Sequence, residues 1–165
     1  MIKDINIQQV ENSKEKKEIA KDILFDLAEW FENETAIENY IEKSSKMPFI
    51  GGFIGNRPLA FIVMNKTSDE TCEIFVMGVK KDFQRLGIGK LVYEKFEQLA
   101  RNLGFSYVQV KTVASGYYKE YDLTNKFYQA MGFAKLEILK DLRDESNPCQ
   151  IYIKYLYKDN INEEL

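Results

Sequence analysis

Apolar residues recur at spacings of three and four between residues 14 and 31, at Ile19, Ile23, Leu24, Leu27, Trp30 and Phe31, which is one face of an amphipathic helix. A shorter helix is predicted over residues 35–43, with Ile37, Tyr40 and Ile41 turned inward and Pro48 closing the connection. The period then falls from near four to two. "PFIGGFIGNRPLAFIVMN" holds two apolar runs divided by Gly-Asn-Arg-Pro, an antiparallel hairpin turning near Gly55 and Asn56, and "CEIFVMGV" supplies a third strand after the polar turn "KTSDE". A long helix is expected over residues 84–103, stopped by Gly104. After it "SYVQVKTV" alternates as a strand, "LTNKFYQAM" reads as a helix closed by Gly132, and "AKLEIL" and "QIYIKYLY" are two final strands. With one strand ahead of the first helix, the order is strand, two helices, three strands, helix, strand, helix, two strands. This predicts a mixed α/β fold: a central sheet of about seven strands, antiparallel in its first half, flanked by about four helices.

Composition narrows the setting. The 165 residues suit one domain spanning 1–165, and no apolar run approaches the length of a bilayer span. The first residues, "MIKDINIQQVENSKEKKE", lack the apolar core of a secretion signal, so a cytoplasmic protein with no membrane association is expected. Cys72 and Cys149 match neither a disulfide framework nor a metal site, and are read as buried small hydrophobes; no metal is expected. There is no histidine, which removes His-based triads, His-ligated metals and histidine general bases together. The net charge of −3 argues against a nucleic-acid partner. Yet residues 80–95 hold five basic residues against two acidic ones, giving +3 there and −6 elsewhere.

That basic stretch surrounds "DFQRLGIGK", a glycine pair at the start of the long helix. Helix starts favour anions, and glycines allow close approach to the backbone. A Walker loop ending at Gly89-Lys90 would need glycine at 84 and Ser or Thr at 91, where the chain has Gln84 and Leu91. A dinucleotide fingerprint starting at Gly87 would need glycine at 92, where the chain has Val92. The pattern that fits is Gln84-Arg85-Leu86-Gly87-Ile88-Gly89 after a strand, and it resembles the acetyl-CoA loop of the GNAT superfamily of N-acetyltransferases. The resemblance runs from about Gly51 to Tyr157 and includes "NKFYQAMGF", similar to that family's closing helix followed by Gly-Phe. "NPCQIYIK" is similar to a subgroup of bacterial members, whereas residues 1–45 resemble the family in layout only. The resemblance implies acetyl-CoA as co-substrate, with Gln84, Arg85, Leu86, Gly87, Ile88, Gly89 and Lys90 around its pyrophosphate. It also implies that Met77 and Val79 pair with the pantetheine arm beside a bulge or close approach at Gly78.

Acetyl transfer to a primary amine needs the nitrogen neutral, although a lysine-like amine with a pKa near ~10.4 is charged at neutral pH. Without histidine, Glu73 is the candidate base, its place resembling the catalytic glutamate of some family members, acting through water. Tyr128 matches the tyrosine that commonly protonates the departing thiolate, and a phenol suits that role because its reference pKa lies above a thiol's. A backbone amide near Val79 would meet the charge developing on the carbonyl oxygen. Many relatives carry asparagine seven residues before this tyrosine; here Tyr121 stands there, and Asn125 is the candidate partial replacement as a CoA contact. An acyl-cysteine route lacks an activator for either thiol, so direct transfer in a ternary complex is expected. Acceptor candidates are Asp26, Glu29, Glu32 and Glu34 near Trp30 and Phe31, and Tyr117, Tyr118 and Tyr121, against the plainer alternative of a solvated face. The acceptor is an amine of a small molecule or protein, the assembly a monomer or homodimer, and the rival function a CoA-binding sensor or interaction module without catalysis.

Overall fold

The computed structural model describes residues 4–142 and 144–157. The elements run β1 (Ile5–Val10), α1 (Ser13–Asp26), α2 (Glu34–Ser44), β2 (Phe49–Ile54), β3 (Arg57–Lys66), β4 (Thr71–Val79), α3 (Ile88–Asn102), β5 (Tyr107–Val113), α4 (Lys119–Ala130), β6 (Ala134–Leu139) and β7 (Cys149–Tyr155). The seven strands form a sheet ordered β1-β2-β3-β4-β5-β7-β6. The expected mixed α/β class and element order therefore hold, with antiparallel β1–β2 and β2–β3 pairs and a parallel β4–β5 pair.

Three helix boundaries differ from expectation: the fourth helix, read from "LTNKFYQAM", begins earlier, at Lys119. The first helix stops at Asp26, and a short 3-10 turn, Ala28–Trp30, follows. The apolar period persists through it because Leu27, Trp30 and Phe31 pack on the same core from a tighter backbone. The third helix starts at Ile88, not 84, because Arg85 and Gly87 both have positive φ, 61° and 83°, which no α-helix contains. At its other end Gly104 takes φ 85° as a left-handed stop.

The described residues fall into two compact units, one up to Asn65 plus Ile74–Gln98, the other Lys66–Glu73 plus everything from Leu99 onward. In the first, Asn12 and Asn33 cap α1 and α2 by accepting the N–H groups of Glu15 and Ala36, each at 2.9 Å. Ile19, Ile23, Leu24, Leu27 and Ile37 then pack on Phe49, Phe53, Phe61, Val63 and Val76. Gly78 lies where α1 crosses this sheet: a Cβ there would come within 2.9 Å of Leu27 Cδ1 and 3.1 Å of Ile23 Cγ2. The close approach expected at Gly78 thus comes from the protein's own helix. In the second unit, β5 takes the start of β4 in parallel (Thr71 opposite Tyr107, Glu73 opposite Gln109), and β7 joins β5 and β6 antiparallel.

Candidate active site

The loop between β4 and α3 is built from backbone. After a 3-10 turn at Lys81–Phe83, the Gln84 side chain donates from Nε2 to the Val79 carbonyl at 2.9 Å and ties the loop to the strand end. Arg85 and Gly87 then take left-handed φ, the kind of alternation from which anion-binding nests of backbone N–H groups are built. A Cβ on Gly87 would meet nothing within 4 Å, so glycine is needed there for its backbone angle and not for space. Leu91 N–H returns to the Gly87 carbonyl at 3.2 Å, which leaves Ile88, Gly89 and Lys90 as the opening amides of the helix, with no acidic residue in its first turn. Opening amides at the positive end of a fifteen-residue helix suit a phosphate or pyrophosphate.

The surrounding cations are distributed unevenly. Lys80 pairs with Asp22 at 2.5 Å and Lys81 with Glu29 at 2.5 Å, while the Lys81 N–H donates to Asp26 Oδ2 at 2.8 Å. The pairing holds the Glu29 carboxyl below its usual range and raises the Lys81 ammonium. Lys90 lies 3.9 Å from Glu94 within the helix. Arg85 is exposed and makes no hydrogen bond or ion pair among the described residues, which leaves its guanidinium available to an anion. Asp26 and Glu29, candidates for the acceptor side on sequence grounds, therefore bind the segment that enters the loop. The signal for this was the long-range match of two acids with two lysines, which cannot be paired without the fold.

Along β4 burial alternates residue by residue. Cys72, Ile74, Val76 and Gly78 face the core, whereas Glu73, Phe75, Met77 and Val79 share the half-exposed face. Burial pushes the Cys72 thiol up to about 12, and Cys149 is buried as well, in agreement with their reading as small hydrophobes. The Glu73 side chain is 13% exposed and accepts from Lys111 Nζ at 3.4 Å, a partner that the β4–β5 register brings from two positions beyond Gln109. Lys111 had no signal in the sequence, because its meeting with Glu73 depends on that parallel register.

On α4 the structure gives Tyr128 and Asn125 different surroundings. Tyr128, 5% exposed, sits among the rings of Phe127, Phe133 and Tyr152 at centroid separations of 5.6, 5.8 and 6.0 Å. Asn125, 1% exposed, donates to the carbonyls of Val113 at 2.8 Å and Tyr121 at 2.7 Å and accepts from the Tyr152 hydroxyl at 2.6 Å. Its polar atoms thus join α4 to β5 and β7, so its visible work is internal. Tyr121 is half-buried against Tyr118, and Tyr117 is exposed.

A family model described as "Acetyltransferase (GNAT) family" matches residues 17–133, well over half of the chain. No curated protein sequence matches. Among solved structures, a GNAT family acetyltransferase from Elizabethkingia anophelis with acetyl-CoA bound is similar at 20% identity and TM-score 0.72, covering 94% of this chain and 100% of that one. An aminoglycoside 6'-N-acetyltransferase complexed with coenzyme A is similar at 13% identity and TM-score 0.76, over 93% and 98%. The ribosomal-protein-S18-alanine N-acetyltransferase from Escherichia coli is similar at 16% identity and TM-score 0.73, over 98% and 99%.

Proposed function

Because the chain belongs to the acetyltransferase (GNAT) family, we propose that it moves the acetyl group of acetyl-CoA directly to a primary amine of a small molecule or protein within a ternary complex. The observation that carries this is the loop from Gln84 to Lys90, where left-handed φ at Arg85 and Gly87 leads into the first amides of α3 and the exposed Arg85 makes no ion pair among the described residues. A pyrophosphate fits that donor set, since it asks for many N–H groups and one cation and no particular side-chain shape.

In this reading the pantetheine arm lies along Met77–Val79 as an added strand, which sets the thioester at the half-exposed face of β4. The amine nitrogen attacks the acetyl carbon, the C–N bond forms and the C–S bond breaks. The Val79 amide meets the oxygen's developing charge, Glu73 takes the amine proton through water, and Tyr128 returns a proton to the thiolate. Lys111 holds the Glu73 carboxylate in place. Asn125 contributes by fixing α4, and so the position of Tyr128. Cys72 and Cys149, both buried and outside any disulfide, accord with a cytoplasmic setting, and among the described residues no helix is long and apolar enough to cross a membrane. Steady-state release of CoA thiol across a panel of amines tests the proposal. Amine-dependent release is the expected result, whereas CoA affinity with no release on any amine would identify a binding module.

A further inference from the structure

The half-exposed face of β4 carries Phe75 one step, about 7 Å, from Met77. The Phe75 ring lies 5.3 Å from that of Tyr40 on α2, and Tyr40 lies 5.6 Å edge-on from Phe31, which follows the 3-10 turn. All three rings are only partly buried, packed on the core beneath while keeping accessible surface. Of the acids near these rings in sequence, Asp22 pairs with Lys80, Glu29 with Lys81 and Glu42 with Lys17, while Asp26 accepts the Lys81 backbone amide. Glu32, Glu34 and Glu38 are exposed, where solvent and salt screen them.

We infer that Phe31, Tyr40 and Phe75 form an acceptor wall selecting an amine borne on an aromatic or apolar body of low charge, and disfavouring a polycation. This rests on acetyl transfer at the Met77–Val79 end of β4. An apolar body gains by covering the exposed ring surface, and edge-to-face contact adds to area burial. A polycation finds beside this wall only exposed, screened acids, and it must give up hydration against aromatic surface.

The test uses the full chain with acetyl-CoA, comparing phenethylamine with spermidine and kanamycin by thiol release, and following phenethylamine binding in the presence of CoA by calorimetry. The expected result is a higher kcat/KM for phenethylamine than for either polycation. Tyr40→Ala should raise its KM by about tenfold with kcat and acetyl-CoA KM nearly unchanged, and Tyr40→Phe should restore most of the loss. Turnover favouring the polycations, or a phenethylamine KM indifferent to Tyr40→Ala, overturns the wall and leaves acetyl transfer standing. Phenethylamine binding that weakens in Tyr40→Ala, with no release on any amine, keeps the wall and removes the proposed reaction. Absence of both binding and release removes both.

Discussion

Tyr128 and Glu73 are the residues on which the proposed chemistry turns, and both were legible from their positions in "NKFYQAMGF" and "CEIFVMGV". What the sequence could not supply was their surroundings: the aromatic cage of Tyr128 and the Lys111 partner of Glu73 arise from strand register and helix docking. Tyr128→Phe keeps the packing of that cage and removes only the hydroxyl, so kcat should fall by about 100-fold while acetyl-CoA binding stays nearly intact; unchanged turnover would dismiss Tyr128 as the acid. Cys72 permits a simpler test. Its thiol is raised to about 12 by burial, so at pH 8 the thiolate fraction in the folded protein is on the order of one in ten thousand. Iodoacetamide at that pH should leave native Cys72 unmodified and label it after unfolding, as peptide mass mapping would show.

At the scale of elements, the helix and strand order was readable because burial imposes its period on the sequence, whereas backbone angles left no such trace. The third helix was expected from residue 84 because Gln84, Arg85 and Leu86 continue its polar-apolar pattern, yet left-handed φ at Arg85 and Gly87 delays it to Ile88. A non-glycine residue in that region costs on the order of 1 kcal/mol, a strain this loop retains. Arg85→Gly should therefore raise the melting temperature by a few degrees and weaken acetyl-CoA binding, opposite signs that thermal melts and calorimetry on one variant can check. Gly78 makes the converse case. Adding a methyl group there forces Leu27 and Ile23 away from β4, so Gly78→Ala should destabilise by about 1–3 kcal/mol, measured by urea unfolding, and Leu27→Ala in the same chain should recover part of the loss.

For the whole molecule, the class of fold followed from the sequence because the order of helices and strands was legible, while the long-range polar ties did not, since Asn125 reads as a surface helix residue until Tyr152 and Val113 are brought to it. Burial raises the Tyr152 hydroxyl above the ordinary phenol range. With the folded value above the unfolded one, the stability it contributes is complete below pH ~10 and is lost as pH rises through the folded value. Unfolding free energy should thus decline above pH ~10, and the decline should be shallower in Tyr152→Phe when denaturant midpoints are compared between pH 9 and 11. Asn125→Ala would remove two donations to backbone carbonyls and the acceptor of the buried Tyr152 hydroxyl, and should lower stability on the order of 3 kcal/mol.

The ties from Asp22, Asp26 and Glu29 to Lys80 and Lys81 carry one more consequence, for modularity. The segment of residues 13–31 carries one ring of the inferred acceptor wall, Phe31, and also braces the backbone that leads into the loop before α3. Exchanging this segment with that of a relative to redirect acceptor choice would disturb donor affinity as well, unless Lys80 and Lys81 travelled with it. Grafts of residues 13–31 alone and of residues 13–31 together with 80–83 should separate the two effects.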